Sequence, residues 1–397
     1  MTQTAAGTKP MSRWLLAVLV AVSTLQPFAI NVLAPATPGL TRSLGTDYAT
    51  VQLTLTLYLF TVAVAQLLVG PVSDRIGRRP CILAGILLFA LGSALGAAAT
   101  EIGLLLTSRI VQAIGGGTCF ALARAVVRDS ASKDQAASLI GYIATAMVVA
   151  PMVAPLVGGF LDARFGWRSI FLAMLVLSGA VAVAAVPLLK ETAPKAGGTS
   201  ALAILSSYPA LLRHRAFLGY ALMLSFVTAA FFSFVAGAPY IVVNHMGHTP
   251  DVYGLYFVLN AGGYMVGNFL TGRLGQRLGT ERLISIGLTV SLAAVALECA
   301  VVAFLPWTPL TLFLPLAFNG IGNGLIIPSA TAAALSVRPE LAGTAAGLSG
   351  AAQLGFGAAS AVLAGHLVTL WPQSLVVVMM ACILLGWVSL RLLVWRR

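Results

Sequence analysis

Two ionisable side chains stand apart in this 397-residue sequence: Arg109, in LLLTSRIVQAIGGGTCF, and Glu298, in AAVALECAVVAF. An ionisable residue inside an apolar helix costs roughly 2.5–3.5 kcal/mol on membrane-insertion scales, so each requires a reason. Arg109 admits two readings. It is either a cavity-facing cation that holds an anionic or hydrogen-bonding substrate, or joins a coupling network, or else a structural arginine satisfied by carbonyls and by polar neighbours such as Gln112. Glu298 either carries a proton or reaches back to the membrane edge, which lies within two turns. Asn31 shares its stretch with Gln26, Pro27, Pro35 and Pro38. Amides and helix-breaking prolines in an apolar helix commonly line a cavity, where freed backbone groups find partners. Asn31 can therefore hydrogen-bond a substrate without charge, or tie two helices together for about 0.6 kcal/mol.

A pocket for apolar, drug-like molecules needs aromatic walls and a few placed polar groups. Phe226, Phe231, Phe232, Phe234 and Tyr240 cluster in one apolar run, and Tyr253, Tyr256, Phe257 and Tyr264 in the next; Tyr240 and Tyr253 are placed to anchor at the interface. The substrate-binding candidates are Asn31, Tyr58, Arg109, Gln112, Phe231, Phe232, Asn260, Tyr264, Asn319 and Asn323, with Arg109 and Glu298 as candidates for proton coupling. His245 and His248 form an HxxH pair near Asp251, on a loop and too poor in ligands for a metal site. There is no HExxH, GxSxG, paired in-span acid or GxxxxGK, so an intramembrane enzyme and an ATP-driven pump are both disfavoured, and no cofactor is implied. Cys81, Cys119, Cys299 and Cys382 are scattered without a CxxC and read as small packing residues.

The elements that must hold these residues follow from composition. Only 9% of residues are charged and 59% are apolar, with mean hydropathy +0.96, against about 25% charged in a soluble domain. Such a chain buries its surface in lipid. Spans of about 20 residues fall near 14–36, 50–71, 80–99, 103–126, 137–160, 167–188, 217–240, 252–273, 282–303, 310–334, 342–366 and 374–395, making an all-α integral membrane protein of twelve transmembrane helices. The first run lacks a cleavage site and reads as a span, not a signal peptide. With the N-terminus inside, only Arg42, Arg164 and Arg168 among the 23 Lys and Arg residues fall outside, and Arg109 falls within a span. That asymmetry sets both termini in the cytoplasm, with the chain in the cell inner membrane. It also accounts for the net charge of +12 without a nucleic-acid partner.

The stretch VGPVSDRIGRRP (Val69 to Pro80) matches TGRLGQRLGTER (Thr271 to Arg282) at a constant offset, pairing Gly70 with Gly272, Arg75 with Arg277 and Gly77 with Gly279. The chain thus divides into two pseudo-symmetric six-helix bundles, 1–188 and 217–397, joined by a cytoplasmic linker at 189–216. Two related halves around a central cavity are the architecture of alternating access, and since they supply each other's interface a monomer is expected.

These motifs resemble the major facilitator superfamily, and within it the twelve-span drug:proton antiporters of the Bcr/CflA branch, over essentially the whole chain. GPVSDRIGRRP is similar to that superfamily's loop signature at Gly70, Asp74, Arg75, Gly77, Arg78 and Arg79. The resemblance implies a cytoplasmic latch in which the Asp meets a helix N-terminus of the other half. The second copy has Gln276 in place of Asp74, which makes the latch one-sided. Arg109 to Gly115 resembles the span-4 motif whose arginine is implicated in proton coupling. Ala150 to Gly159 is similar to the antiporter motif of span 5, with Pro155, Gly158 and Gly159 matching and Ala150 and Ala154 replacing glycines. Span 1 departs from the pattern: where the branch reads Asp-x-x-x-Pro-x-x-Pro, this chain has Asn31, Pro35 and Pro38. Asparagine cannot exchange a proton. Coupling then runs through another group, or the substrate supplies the exchangeable charge, or transport is not coupled to protons. The resemblance implies export of small amphipathic compounds in exchange for protons; a specific metabolite exporter or an uncoupled facilitator is the alternative.

Overall fold

A computed structural model of the chain describes residues 12–130, 133–192 and 208–395; Lys9, Lys195, Arg396, Arg397 and most of the linker lie outside them. The described residues are almost entirely helical. Helix α1 (Arg13–Val32) gives way to a three-residue 3-10 turn, Ala34–Ala36, and then to α2 (Thr37–Leu44). Pro35 and Pro38 each sit in the first turn of the segment they open, where a missing N–H is harmless. The first span is therefore broken near its end.

Next come α3 (Tyr48–Ile76), α4 (Arg78–Ala97), α5 (Ile102–Ser130), α6 (Lys133–Phe165), α7 (Arg168–Leu188) and α8 (Arg215–Tyr240). They are followed by α9 (Pro250–Phe304), α10 (Pro309–Ser336), α11 (Ala342–Leu370) and α12 (Ser374–Leu390). Exposed Asp47 caps α3, its carboxylate accepting the Thr50 N–H at 2.8 Å and the Thr50 hydroxyl at 2.8 Å, bonds that hold its pKa below the usual carboxylate value.

At about 1.5 Å per residue, the 55 residues of α9 would span far more than a bilayer core of about 30 Å. The helix in fact breaks at Gly279, where φ is 76° and ψ 165°. Its repeat partner Gly77, between α3 and α4, has φ 111° and ψ 151°. Both copies of the loop turn through a conformation open to glycine, so the matched glycines of the sequence are matched corners of the fold. Among the described residues, ten helices are long and apolar enough to cross a membrane. Counting α9 as two spans and adding α6 gives the twelve.

Within the first half α1 packs on α5, α6 and α7, and α4 on α5 and α7; in the second, α8 packs on α11 and α12, and α9 on α10. The halves meet along two seams, α3 with α11 and α6 with the first span of α9, which the internal repeat exchanges. The α6 motif serves both levels. A Cβ at Gly158 would overlap the carbonyl oxygen of Val32 in α1, and one at Gly159 would come within 2.6 Å of the Pro250 carbonyl oxygen in the other half. Large apolar side chains such as Phe60, Leu68, Val183 and Phe269 remain exposed, the surface a bilayer covers.

Gly158→Ala is therefore expected to lower stability by roughly 1–3 kcal/mol through overpacking. Gly179→Ala, in α7 with open space around it, should leave stability unchanged or slightly raised. Thermal melting of the detergent-purified variants reads the contrast.

Candidate functional site

The polar residues of the first half gather around Arg109, which is 1% exposed. Its Nη2 donates to the Ala29 carbonyl at 3.0 Å, its Nε to the Thr54 carbonyl at 3.3 Å and its Nη1 to Gln112 Oε1. The Ala29 carbonyl is one of the last four of α1, which a helix end leaves without an intrahelical donor. The break before Pro35 thus supplies an acceptor for the guanidinium. The cation also lies 4.1 Å from the centre of the Tyr58 ring, within cation–π range. Gln112 extends the network, its Nε2 donating to Ser93 Oγ at 2.8 Å and to Met174 Sδ at 3.4 Å. Every partner is neutral. The charge is held by dipoles and a π face.

Asn31, though buried, is not among those partners. Its Nδ2 donates at 3.0 Å to the Pro27 carbonyl one turn back, and its Oδ1 has no partner. Arg109 nonetheless reaches the boundary between halves: it lines a small cleft with Ile30, Thr37, Gln52, Thr54 and Val235, the last on α8.

In the second half, Asn260, Asn319 and Asn323 are buried and Tyr264 is half-buried. Asn260 and Tyr264 flank Gly320 of α10. Phe231 and Phe232 stand edge to face at 5.2 Å, with Phe257 next to Phe231. Tyr253 is fully buried against Phe257 and Phe313 and is no interface anchor, because its face of α9 turns toward α10. Glu298 is likewise fully buried, 0% exposed, with both carboxylate oxygens unpartnered. It does not reach the membrane edge.

Opposite the basic loop, the halves are tied by contacts that the sequence did not signal. Tyr48 Oη donates to the Ala236 carbonyl at 2.6 Å and Gln52 Nε2 to the same oxygen at 3.0 Å, while Tyr48 and Tyr240 stack with centroids 4.9 Å apart. At the other end, Arg78 pairs with Asp74 at 2.6 Å and with Asp129 at 3.2 Å and also donates to Ser73 Oγ. The Arg78 and Arg79 amides donate at 2.7 and 3.2 Å to the carboxylate of Glu191, which follows α7. The anion at the N-terminus of α4 is thus Glu191, from the start of the linker, and Asp74 serves as a partner of Arg78. Gly77 must be glycine beside Glu191, since a Cβ would strike the carboxylate, whereas Gly70 has open space and Arg75 is exposed. Asp129 and Glu191 were legible only as acids at helix ends on the same side as the arginine-rich loop.

Twelve helices in two related halves, with buried polar residues near the seam between them, define a membrane-embedded secondary transporter. The chain belongs to the Major Facilitator Superfamily, whose sequence profile matches residues 19–249 and 222–397. It is 31% identical over 346 residues, 86% of each chain, to an uncharacterized MFS-type transporter, YdgK, of Bacillus subtilis. It is 30% identical over 347 residues, 85% of each chain, to multidrug resistance protein D of Escherichia coli. A bicyclomycin resistance protein homolog of Haemophilus influenzae is 27% identical over 92% of each chain. Among solved structures, a bacterial homolog of the human lysosomal transporter Spinster, in an inward-facing and unoccupied conformation, superposes with a TM-score of 0.72 at 16% identity, covering 96% of both chains.

Arg109→Lys keeps the charge but replaces a planar fork with a point donor. It is expected to lower the melting temperature by several degrees and to abolish most transport; Gln112→Glu, which offers the cation a carboxylate, should be tolerated better in the melt. Differential scanning of both variants beside the wild type checks this.

Proposed function

We propose that this protein exports small amphipathic, drug-like compounds across the cytoplasmic membrane by alternating access, in exchange for protons. The observation that carries the reading is the pairing of an α6 motif packed glycine-to-backbone against the other half with direct relatives named for multidrug and bicyclomycin resistance. The halves 1–188 and 217–397 rock about the α3–α11 and α6–α9 seams, with 189–216 as their tether. The basic loop at Asp74 to Arg79 faces the cytoplasm, along with both termini, and acts on the motion through the charge cluster with Asp129 and Glu191. In this arrangement the contacts at Tyr48, Gln52 and Gly159 close the external end. The substrate meets Asn31, Tyr58 and the Arg109 cleft on one side, and Phe231, Phe232, Asn260, Tyr264, Asn319 and Asn323 on the other. The protein works as a monomer.

One observation favours a second reading, an uncoupled facilitator: Asn31 stands where the branch has an acid, and Arg109 is held by neutral groups alone. Everted membrane vesicles separate the two. Uptake of chloramphenicol, a neutral aromatic amphiphile, and of ethidium, a cationic one, is followed under an imposed pH gradient with and without an uncoupler. Antiport requires accumulation that the uncoupler abolishes; uptake that only equilibrates and is indifferent to the uncoupler leaves the facilitator, and no uptake of either probe removes drug export.

A further inference from the structure

The second span of α9 and α10 bury oxygens without partners: Ser291 Oγ and both oxygens of Glu298 on the first, and Asn319 Oδ1 on the second. Their alignment follows from helix geometry. A Cβ at Gly322 would collide with Ser291 Oγ, so Ser291 faces α10 there. Glu298 lies two turns further along the same face of α9. The two helices run antiparallel across a short connection, so Glu298 comes opposite the Pro315 turn, two turns before Gly322, with Asn319 one turn before Gly322 between them. The repeat places α4 and α5 at the corresponding seam of the first half. There Gln112, Ser93 and Arg109 are hydrogen-bonded to one another or to carbonyls. One half thus buries a partnered cation, and the other an acid with no hydrogen-bond partner.

No charge faces Glu298 from the helices around it. Neither α10 nor α12 contains Lys, Arg, His, Asp or Glu. In α8 the one charged residue is Arg215, at the far end. The thiol of the adjacent Cys299 and, on α12, that of Cys382 are titratable groups these elements add. A carboxyl so enclosed, with no cation facing it and no hydrogen bond made to either oxygen, is stable in the closed seam as the neutral acid.

We propose that Glu298 binds and releases the proton exchanged during transport, in place of the acid that span 1 lacks. The proposal rests on the antiport reading above. When the external end opens, the carboxylate takes a proton from external water, forming the O–H bond. The seam closes around the neutral acid in the state seen here. Substrate entering from the cytoplasmic side spreads the α9–α10 seam and admits water, the O–H bond breaks as that water accepts the proton, and the proton leaves to the cytoplasm with the carboxylate left for the next cycle.

Glu298→Gln mimics the protonated form and tests the assignment in proteoliposomes and everted vesicles with ethidium and chloramphenicol. The expected result is loss of pH-gradient-driven accumulation, by tenfold or more, with unlabelled-for-labelled substrate counterflow retained within twofold. Substrate addition to the detergent-purified wild type should also acidify a weakly buffered medium, and addition to Glu298→Gln should not. Gradient-driven accumulation equal to wild type in Glu298→Gln would overturn the proposal while antiport stands. Loss of counterflow together with accumulation would also overturn it, marking Glu298 as structural. Wild-type accumulation indifferent to the gradient would remove antiport itself, and this assignment with it.

Discussion

Hydrocarbon offers no hydrogen bond, and every polar group that this chain buries must find its partner within the protein. Arg109 shows how far that constraint reaches. Its guanidinium needs carbonyls that helices do not normally spare, and the broken end of α1 supplies one. The prolines that break α1 therefore belong to the same device as the arginine three spans away along the chain. Gln112, Ser93 and Met174 complete a network running through α1, α3, α4, α5 and α7, so the first half holds its helices in register with one cation.

The same constraint shapes the contacts between the halves. Backbones approach closely where glycine permits, as at Gly159 against Pro250 and Gly254 against Pro155. Without water or lipid in the gap, dispersion and the few hydrogen bonds to the Ala236 carbonyl hold the closed end together. Such an interface is broad in contact and light in directional bonds, which suits surfaces that must separate and rejoin. The charge cluster at the basic loop works differently. It lies where water begins, and ties α3, α4, α5 and the end of α7 through Arg78, Asp74, Asp129 and Glu191.

Much of this was legible in the residues. The apolar runs became helices because a bilayer core admits little else, and the matched Gly77 and Gly279 became matched corners because the turn requires positive φ. The pairing of Arg109 with Gln112 was visible as a three-residue spacing on one helix. Other features were hidden by the distance between partners along the chain. Glu191 lies 112 residues from the Arg79 amide it caps, and Tyr48 lies 188 residues from the Ala236 carbonyl it bonds. Backbone acceptors carry no sequence signature.

Composition, charge asymmetry and the internal repeat by themselves determined a twelve-helix membrane protein in two related halves, since hydropathy and helix length act locally along the chain. They also marked Arg109 and Glu298 as ionisable residues within apolar runs. The tertiary structure alone decided what each burial means. Arg109 and Glu298 look alike in sequence, each a single charge in an apolar run. Packing surrounds the first with carbonyls, an amide and a ring, and leaves the second with no hydrogen-bond partner. The difference lies in which neighbouring helix each side chain faces, a rotation about the helix axis that only the assembled bundle sets.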